Sequence, residues 1–363
     1  MAGGISNYAS ICARVRVKYS LLLNAQGMRT LEDAPDLAAL VEALKHTQYA
    51  DEVEQLRERE PTAPALVAAL RRRLASEARS VIQGTPGAAR RVLVQLHRRH
   101  ELDNLKAILR GVAAGTSADD AGSLWERIRG LLFPVGDSSA IPAERMLETG
   151  SITGAIELLR GTPYFEALSL GLKRYSSEQS LFPLEVALDL DYWRRLWQEA
   201  RKLAGEDQLQ AIRVIGSLVD ANNFMWAVRY RVYKHLSEEE LINYTLPFGH
   251  RVRDEDIRAI AAGGDMGAIL TRLYPELEGA RALLDAPGSG LPRLETELKR
   301  LTARRCMAAL LGNPFHIGLP LAFLVLHDLE VEDLIVLVEA KSSKLAAEDF
   351  LPYVLRGEGV PAQ

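Results

Sequence analysis

Apolar residues recur three and four positions apart along most of this chain, the spacing that places side chains on one face of a helix. Tyr8, Ile11, Cys12, Val15, Tyr19, Leu22 and Leu23 form one such stripe and predict a first helix over about residues 7–24. Asp36 stands where its carboxylate caps a helix carrying Leu37 to Leu44. Ser237 and Glu240 have the spacing of a capping box ahead of Leu241 and Ile242. Breaks rich in Gly and Pro separate the helical stretches at 60–64, 84–87, 130–143, 246–249 and 285–292, and residues 111–123 read as a polar, Gly-rich linker. Nowhere do β-branched or aromatic residues alternate with polar ones over the length of a strand, so the pattern predicts an all-α protein.

Within this pattern one segment recurs three times. ELDNLKAILRG (101–111), DANNFMWAVRY (220–230) and EVEDLIVLVEA (330–340) align with Asn104, Asn223 and Asp333 in register. Leu105, Phe224 and Leu334 then share a column, as do Arg110, Arg229 and Glu339, and the polar residues lie 119 and 110 positions apart. A second motif precedes the first. Leu37, Leu40, Val41, Leu44, Thr47 and Tyr49 match Ile152, Ala155, Ile156, Leu159, Thr162 and Tyr164 at a constant offset of 115, and Met266, Ile269, Leu270 and Leu273 supply a third copy 114 further on. Solenoid repeats run to roughly 20–50 residues, so this longer period predicts three similar small helical units, near residues 1–115, 116–235 and 236–363.

Bulk composition narrows the function. Aromatics are only 6% of the chain while Ala, Leu, Arg and Glu are abundant, which agrees with helices. A net charge of −4 excludes a globally basic nucleic-acid binder. Charge is uneven, however: residues 31–60 hold nine acidic and three basic residues, and residues 71–110 hold ten Lys or Arg against three acids. The basic segment has three readings: a solvated face balanced by its acidic neighbour, a docking surface for an acidic protein, or a nucleic-acid site. It contains no Phe, Trp or Tyr, so the stacking platform of a single-strand binder is missing. The N-terminus lacks the basic segment and apolar run of a secretory signal. The most apolar tract, 318–340, is interrupted by His327, Asp328, Glu330, Glu332 and Asp333, whereas a bilayer span needs about 20 nearly unbroken apolar residues. A soluble chain that meets a membrane only through a partner is expected.

Recognisable catalytic patterns are missing. There is no phosphate loop, no dinucleotide fingerprint, no nucleophile elbow, no HExxH and no CxxC. Cys12 and Cys306 lie in apolar helical surroundings and suit buried hydrophobes. His97 and His100 have metal-ligand spacing, but Arg98 and Arg99 between them disfavour a dication. Asp220, Asn222 and Asn223 resemble a polar catalytic cluster, yet such side chains more readily bond nearby backbone or link repeats. No metal, cofactor or catalytic residue is expected. The pattern favours a structural or coupling role over an enzyme with a dispersed site.

Several segments resemble a known family. YASICARVRVKYSLL, through Tyr8, Ala9, Ala13, Arg14, Val15 and Arg16, is similar to the Tyr-Ala-x-x-x-Ala-Arg-Val-Arg opening of the central-stalk subunit of rotary ATPases. That component is called C in A/V-type enzymes and d in eukaryotic V-type enzymes. Asn104, Leu105 and Arg110 resemble its recurring Asn-Leu-x-x-Leu-Leu-Arg element, and Asn223 with Arg229 match a second occurrence. Gly318, Leu321, Ala322 and Phe323 resemble its Gly-x-x-Leu-Ala-Tyr segment. The resemblance covers about residues 7–355. It departs in the third element, where the family usually keeps Asn and Arg and this chain has Asp333 and Glu339.

The resemblance implies a funnel of helices with pseudo-threefold symmetry and no active site. Its cavity would receive the end of a coiled-coil central shaft, and its other face would sit on a membrane ring of proteolipid subunits. The protein would transmit torque between ATP chemistry and proton or sodium movement, as a peripheral component on the cytoplasmic face, with no nucleic acid bound. It makes Arg14, Arg16, Asn104, Arg110, Asn223, Arg229 and Glu339 candidate partner-binding residues. The charge reversal at Glu339, beside Asp333, is expected to help fix one orientation of the shaft or the local packing. The alternative is a helical scaffold that binds nucleic acid or an acidic protein through residues 71–110.

Overall fold

The computed structural model describes residues 2–56, 62–114, 118–136, 139–234, 236–277 and 279–355, and no strand occurs among them. The chain opens with α1 (Ala2–Ser20), α2 (Ala25–Glu32), α3 (Leu37–Leu44), α4 (Ala50–Glu54) and α5 (Ala63–Gly84). There follow α6 (Gly87–Ala113), α7 (Ala118–Arg129), α8 (Ala143–Glu148), α9 (Ile152–Glu157), α10 (Phe165–Glu178) and α11 (Phe182–Arg201). The remainder is α12 (Gly205–Arg229), α13 (Glu238–Asn243), α14 (Asp254–Ala261), α15 (Met266–Leu273), α16 (Pro287–Ala309), α17 (Gly318–Ser342) and α18 (Ala347–Phe350). The all-α expectation holds. By its internal contacts the chain divides into two compact units, residues 1–92 with 197–363, and residues 93–196.

Local chemistry explains most helix ends. The Asp36 carboxylate accepts the Ala39 N–H at 2.9 Å, and Ser237 and Glu240 form the reciprocal capping box. At the end of α5, the Arg90 guanidinium donates to the carbonyls of Gln83 and Thr85 at 2.7 and 2.8 Å, satisfying acceptors that the helix leaves open.

Three expectations are corrected. The first helix ends at Ser20 rather than near residue 24. Leu21 and Leu22 turn back onto the carbonyls of Lys18 and Tyr19, and Asn24 caps the next helix through the Gly27 N–H at 2.8 Å. Leu22 and Leu23 stay buried, in a turn. Residues 111–123 are not a linker: 111–113 finish α6, 118–123 belong to α7, and 115–117 lie outside the described residues. Gly111 serves close packing, since a Cβ there would lie 3.0 Å from Leu147 Cδ2 and 3.5 Å from Leu124 Cδ2. The break at 285–292 is largely the start of α16: Pro287 occupies a first-turn position, where its missing N–H is an orphan anyway, and Pro292 lies inside the helix. The break expected at 60–64 falls partly on residues outside those described, with α5 starting at Ala63.

In the first unit α17 is the core helix. It packs against α1, α5, α12 and α16, and is buried around its whole circumference, as an all-round apolar helix must be. No described helix is long and apolar enough to cross a membrane. The polar residues that interrupt α17, His327, Glu330 and Asp333, are themselves buried. A buried polar group needs a partner, and those of the two carboxylates define the site described next.

Candidate functional site

The aligned segments lie on three long helices, α6, α12 and α17, and Leu105, Phe224 and Leu334 are buried in all of them. The polar residue ahead of each grips a distant piece of backbone. Asn104 donates through Nδ2 to the Phe133 carbonyl and accepts the Phe133 N–H on Oδ1, both at 2.8 Å. Asn223 does the same to Leu246, again with two bonds of 2.8 Å. An amide can complete this clasp because it carries a donor and an acceptor side by side. Asp333 has no N–H to donate. Its Oδ1 accepts the Leu355 N–H at 2.8 Å, while Arg300 supplies the missing donor, with Nη2 to the Val354 carbonyl at 2.7 Å and Nε to that of Leu355 at 3.3 Å. The departure from Asn in the third segment is thus compensated within the fold.

Three residues earlier on each helix stands a carboxylate, Glu101, Asp220 or Glu330, one turn from the clasp on the same face. Glu101 accepts the Tyr164 hydroxyl at 2.6 Å, the Ser139 hydroxyl at 2.9 Å and the Ala140 N–H at 3.0 Å. Glu330 accepts the Tyr49 hydroxyl at 2.8 Å and the Gln48 amide and Leu23 N–H at 2.7 Å each. Tyr49 and Tyr164 are the matched tyrosines of the second motif, so the first segment's acid holds the following tyrosine and the last segment's acid holds the first. Asp220 accepts the N–H groups of His250, Arg251 and Val252 at 2.7, 2.8 and 3.2 Å. Burial pushes its carboxyl above the ordinary Asp value, and the three N–H donors pull it back. Asp220 is one methylene shorter than its counterparts. Tyr274, the nearby phenol, is raised by burial and by the Asp220 charge, and its hydroxyl has no hydrogen-bond partner among the described residues.

Sequence reading anticipated backbone or inter-repeat bonding for Asp220 and Asn223, and Asn222 bonds the Leu218 carbonyl of its own helix at 2.9 Å. It missed the carboxylate column and Tyr274. An acid three residues before the clasp in all three segments was the available signal. Gly249 is required by this cradle, because a Cβ there would overlap the Val252 carbonyl and crowd Asp220 Oδ1. We expect Gly249→Ala to lower unfolding free energy by roughly 1–3 kcal/mol, read as a shift in the urea midpoint.

The charged column behaves differently. Arg110 Nε bonds Glu185 at 2.7 Å and Arg229 bonds Glu295 at 2.5 Å, while Glu339 is exposed with no ion pair among the described residues. One turn before Arg110, Lys106 bonds Asp189 at 2.5 Å, so two ion pairs join α6 to α11. Burial raises the Asp189 carboxyl and Lys106 lowers it again. Arg110→Ala and Arg229→Ala are each expected to change unfolding free energy by less than about 1 kcal/mol, because both pairs are open to solvent. A larger loss in thermal or urea unfolding would show that these pairs carry the helix packing.

Arg14 and Arg16 are exposed on α1. The seven candidate residues differ in their surroundings. The two amides are buried and committed to backbone, two arginines are paired at helix surfaces, and Arg14, Arg16 and Glu339 face solvent. In the basic segment Arg73 pairs with Glu52 of the acidic neighbour at 3.6 Å and with Glu77 at 3.0 Å, and Arg91 pairs with Glu199 at 3.3 Å. Much of its charge is balanced internally. His100 stacks on Phe133 at 3.9 Å and His97 meets the same ring edge-on at 5.5 Å. Both imidazoles thus pack on the residue that Asn104 clasps.

Buried polar clasps thus tie separate stretches of backbone to α6, α12 and α17, and the chain is similar to several known proteins. A family model described as ATP synthase (C/AC39) subunit matches residues 11–352. The C subunit of the A-type ATP synthase of Methanocaldococcus jannaschii is 24% identical over 352 residues, covering 95% of this chain and 85% of the relative. The protein of the same name from Archaeoglobus fulgidus is 24% identical over 351 residues, covering 96% of each chain. That of Methanosphaera stadtmanae is 24% identical over 334 residues, covering 91% of this chain and 82% of its own. With the match running through nearly every described helix, the chain belongs to the ATP synthase (C/AC39) subunit family.

Proposed function

We propose that this chain is the C subunit of an A-type rotary ATP synthase or ATPase, a non-catalytic rotor component. The observation that carries the reading is the family match over residues 11–352, joined by relatives named as the C subunit of A-type ATP synthases along almost the whole chain. In this role the chain receives the coiled-coil central shaft at one surface, rests on the proteolipid ring at another, and transmits torque as a peripheral component on the cytoplasmic face. Three similar helical units near 1–115, 116–235 and 236–363, arranged as a funnel, are part of the same proposal. A torque coupler must resist internal shear, and the buried clasps on α6, α12 and α17 supply directional bonds that apolar packing lacks. Glu339, exposed where its counterparts are paired arginines, remains the proposed orienting charge.

The test is co-expression with the shaft and ring proteins of the same organism. The chain is expected to co-purify with both and to show no nucleotide hydrolysis alone. Failure to associate with either, or hydrolysis abolished by a point change in this chain, would overturn the reading. Salt-sensitive binding of DNA or RNA by the isolated chain would favour the basic-segment alternative.

A further inference from the structure

A groove runs between α1 and α5, and its lining changes character along its length. At one end, a space of about 380 Å³ is lined by Arg14, Ser76, Arg79, Ser80, Gln83 and Gly84. Arg14 Nη2 donates to Ser80 Oγ at 2.8 Å, and a Cβ on Gly84 would lie 3.0 Å from Arg14 Nη1, so the missing side chain lets the guanidinium lie against α5. Neither Arg14 nor Arg79 has an ion pair among the described residues. Next to it, a space of about 330 Å³ shares Arg14 and is bordered by Val17 and Leu21. Arg14, Val17 and Leu21 stand three and four residues apart, on one face of α1. Val17 is 63% exposed and Leu21 49%. The floor, by contrast, is neutralised: Glu77 pairs with Lys18 and Arg73, and Arg73 also reaches Glu52.

From this lining we infer that the α1–α5 groove is a docking site for an acidic segment of a partner protein, with carboxylates against Arg14 and Arg79 and apolar side chains over Val17 and Leu21. Guanidinium forks match carboxylates in two-point geometry, and the serine hydroxyls and the Gln83 amide add further donors at the same end. An anionic lipid surface fits less well. Membrane adsorption relies on a cluster of about 4–8 uncompensated basic side chains, whereas this groove offers two. The inference deepens the proposed role by naming one of its docking surfaces.

A photo-crosslinking amino acid at Val17 or Ser76 of the full chain, activated in cells and mapped by mass spectrometry, tests it. The expected product is a polypeptide whose crosslinked peptide carries at least two Asp or Glu beside apolar residues. Its yield should fall roughly tenfold in Arg14→Gln/Arg79→Gln, the loss expected when two exposed carboxylate contacts are removed together. It should persist in Arg258→Gln, which removes the same kind of charge elsewhere. Unchanged circular dichroism of the double variant excludes misfolding. Crosslinks to phospholipid, crosslinks to no partner, or a product indifferent to the two arginines would overturn the inference. An arginine-dependent product with an acidic protein foreign to any ATP synthase would keep the groove and reject the rotor role.

Discussion

Replacing Glu330 by Ala is expected to lower the unfolding free energy by roughly 3–5 kcal/mol, the range for a buried charged group that loses its hydrogen-bonding role. The carboxylate is fully buried, and three donors converge on it: the Tyr49 hydroxyl, the Gln48 amide and the Leu23 N–H. Tyr49 is itself fully buried, so its hydroxyl would lose this acceptor where water does not replace it. The Leu23 bond also ties the turn after α1 to α17, across 307 residues of sequence. A urea midpoint followed by circular dichroism measures the effect, with Tyr49→Phe as a milder comparison that removes one of the three bonds. A Glu330→Ala midpoint equal to that of the unaltered chain would mean that the carboxylate is not the organising group of this core.

The second large effect concerns the third clasp. Arg300→Met is expected to destabilise the protein by roughly 2–4 kcal/mol, as expected when a buried charge network loses a partner. Arg300 is largely enclosed and donates to the carbonyls of Val354 and Leu355, which Asp333 cannot serve. Its Nη1 also pairs with Glu297 at 2.5 Å, so the guanidinium is held from both sides. Adding Asp333→Asn to the Arg300→Met variant should recover part of the loss, because the amide restores the donor that Asn104 and Asn223 already use. The converse change, Asn223→Asp, places a second carboxylate near buried Asp220 with no arginine bonded to the Leu246 carbonyl among the described residues, and should be as damaging as losing Arg300. A double-mutant cycle reads the coupling directly. Additive losses from Arg300→Met and Asp333→Asn would refute the compensation.

Much of the local structure was legible in the residues. Helical periodicity, the Asp36 cap, the Ser237 and Glu240 box and the shared register of Asn104, Asn223 and Asp333 depend on neighbours within a turn or two. The family could also be read, because its opening and its recurring Asn-Leu element are short linear motifs. Helix boundaries near 20, 111–123 and 285–292 were less legible. There, an Asn cap, a close helix crossing at Gly111 and a tolerated Pro292 overrode the composition signal.

What only the tertiary structure decided is which distant groups the polar columns hold. Glu330 meets Tyr49 281 residues away, Asn223 meets Leu246 and Arg300 stands in for an amide, and none of these pairings leaves a period in the sequence. The same is true of the groove on α1 and α5. Arg14 and Arg79 look like ordinary solvated charges until the fold sets them around one space, with Arg14 against Gly84, and gives Glu77 nearby to other partners. Periodicity reports which face of a helix is buried. The partner that a buried carboxylate or an exposed arginine meets depends on long-range packing, where the energy of leaving a polar group unsatisfied selects one arrangement among many.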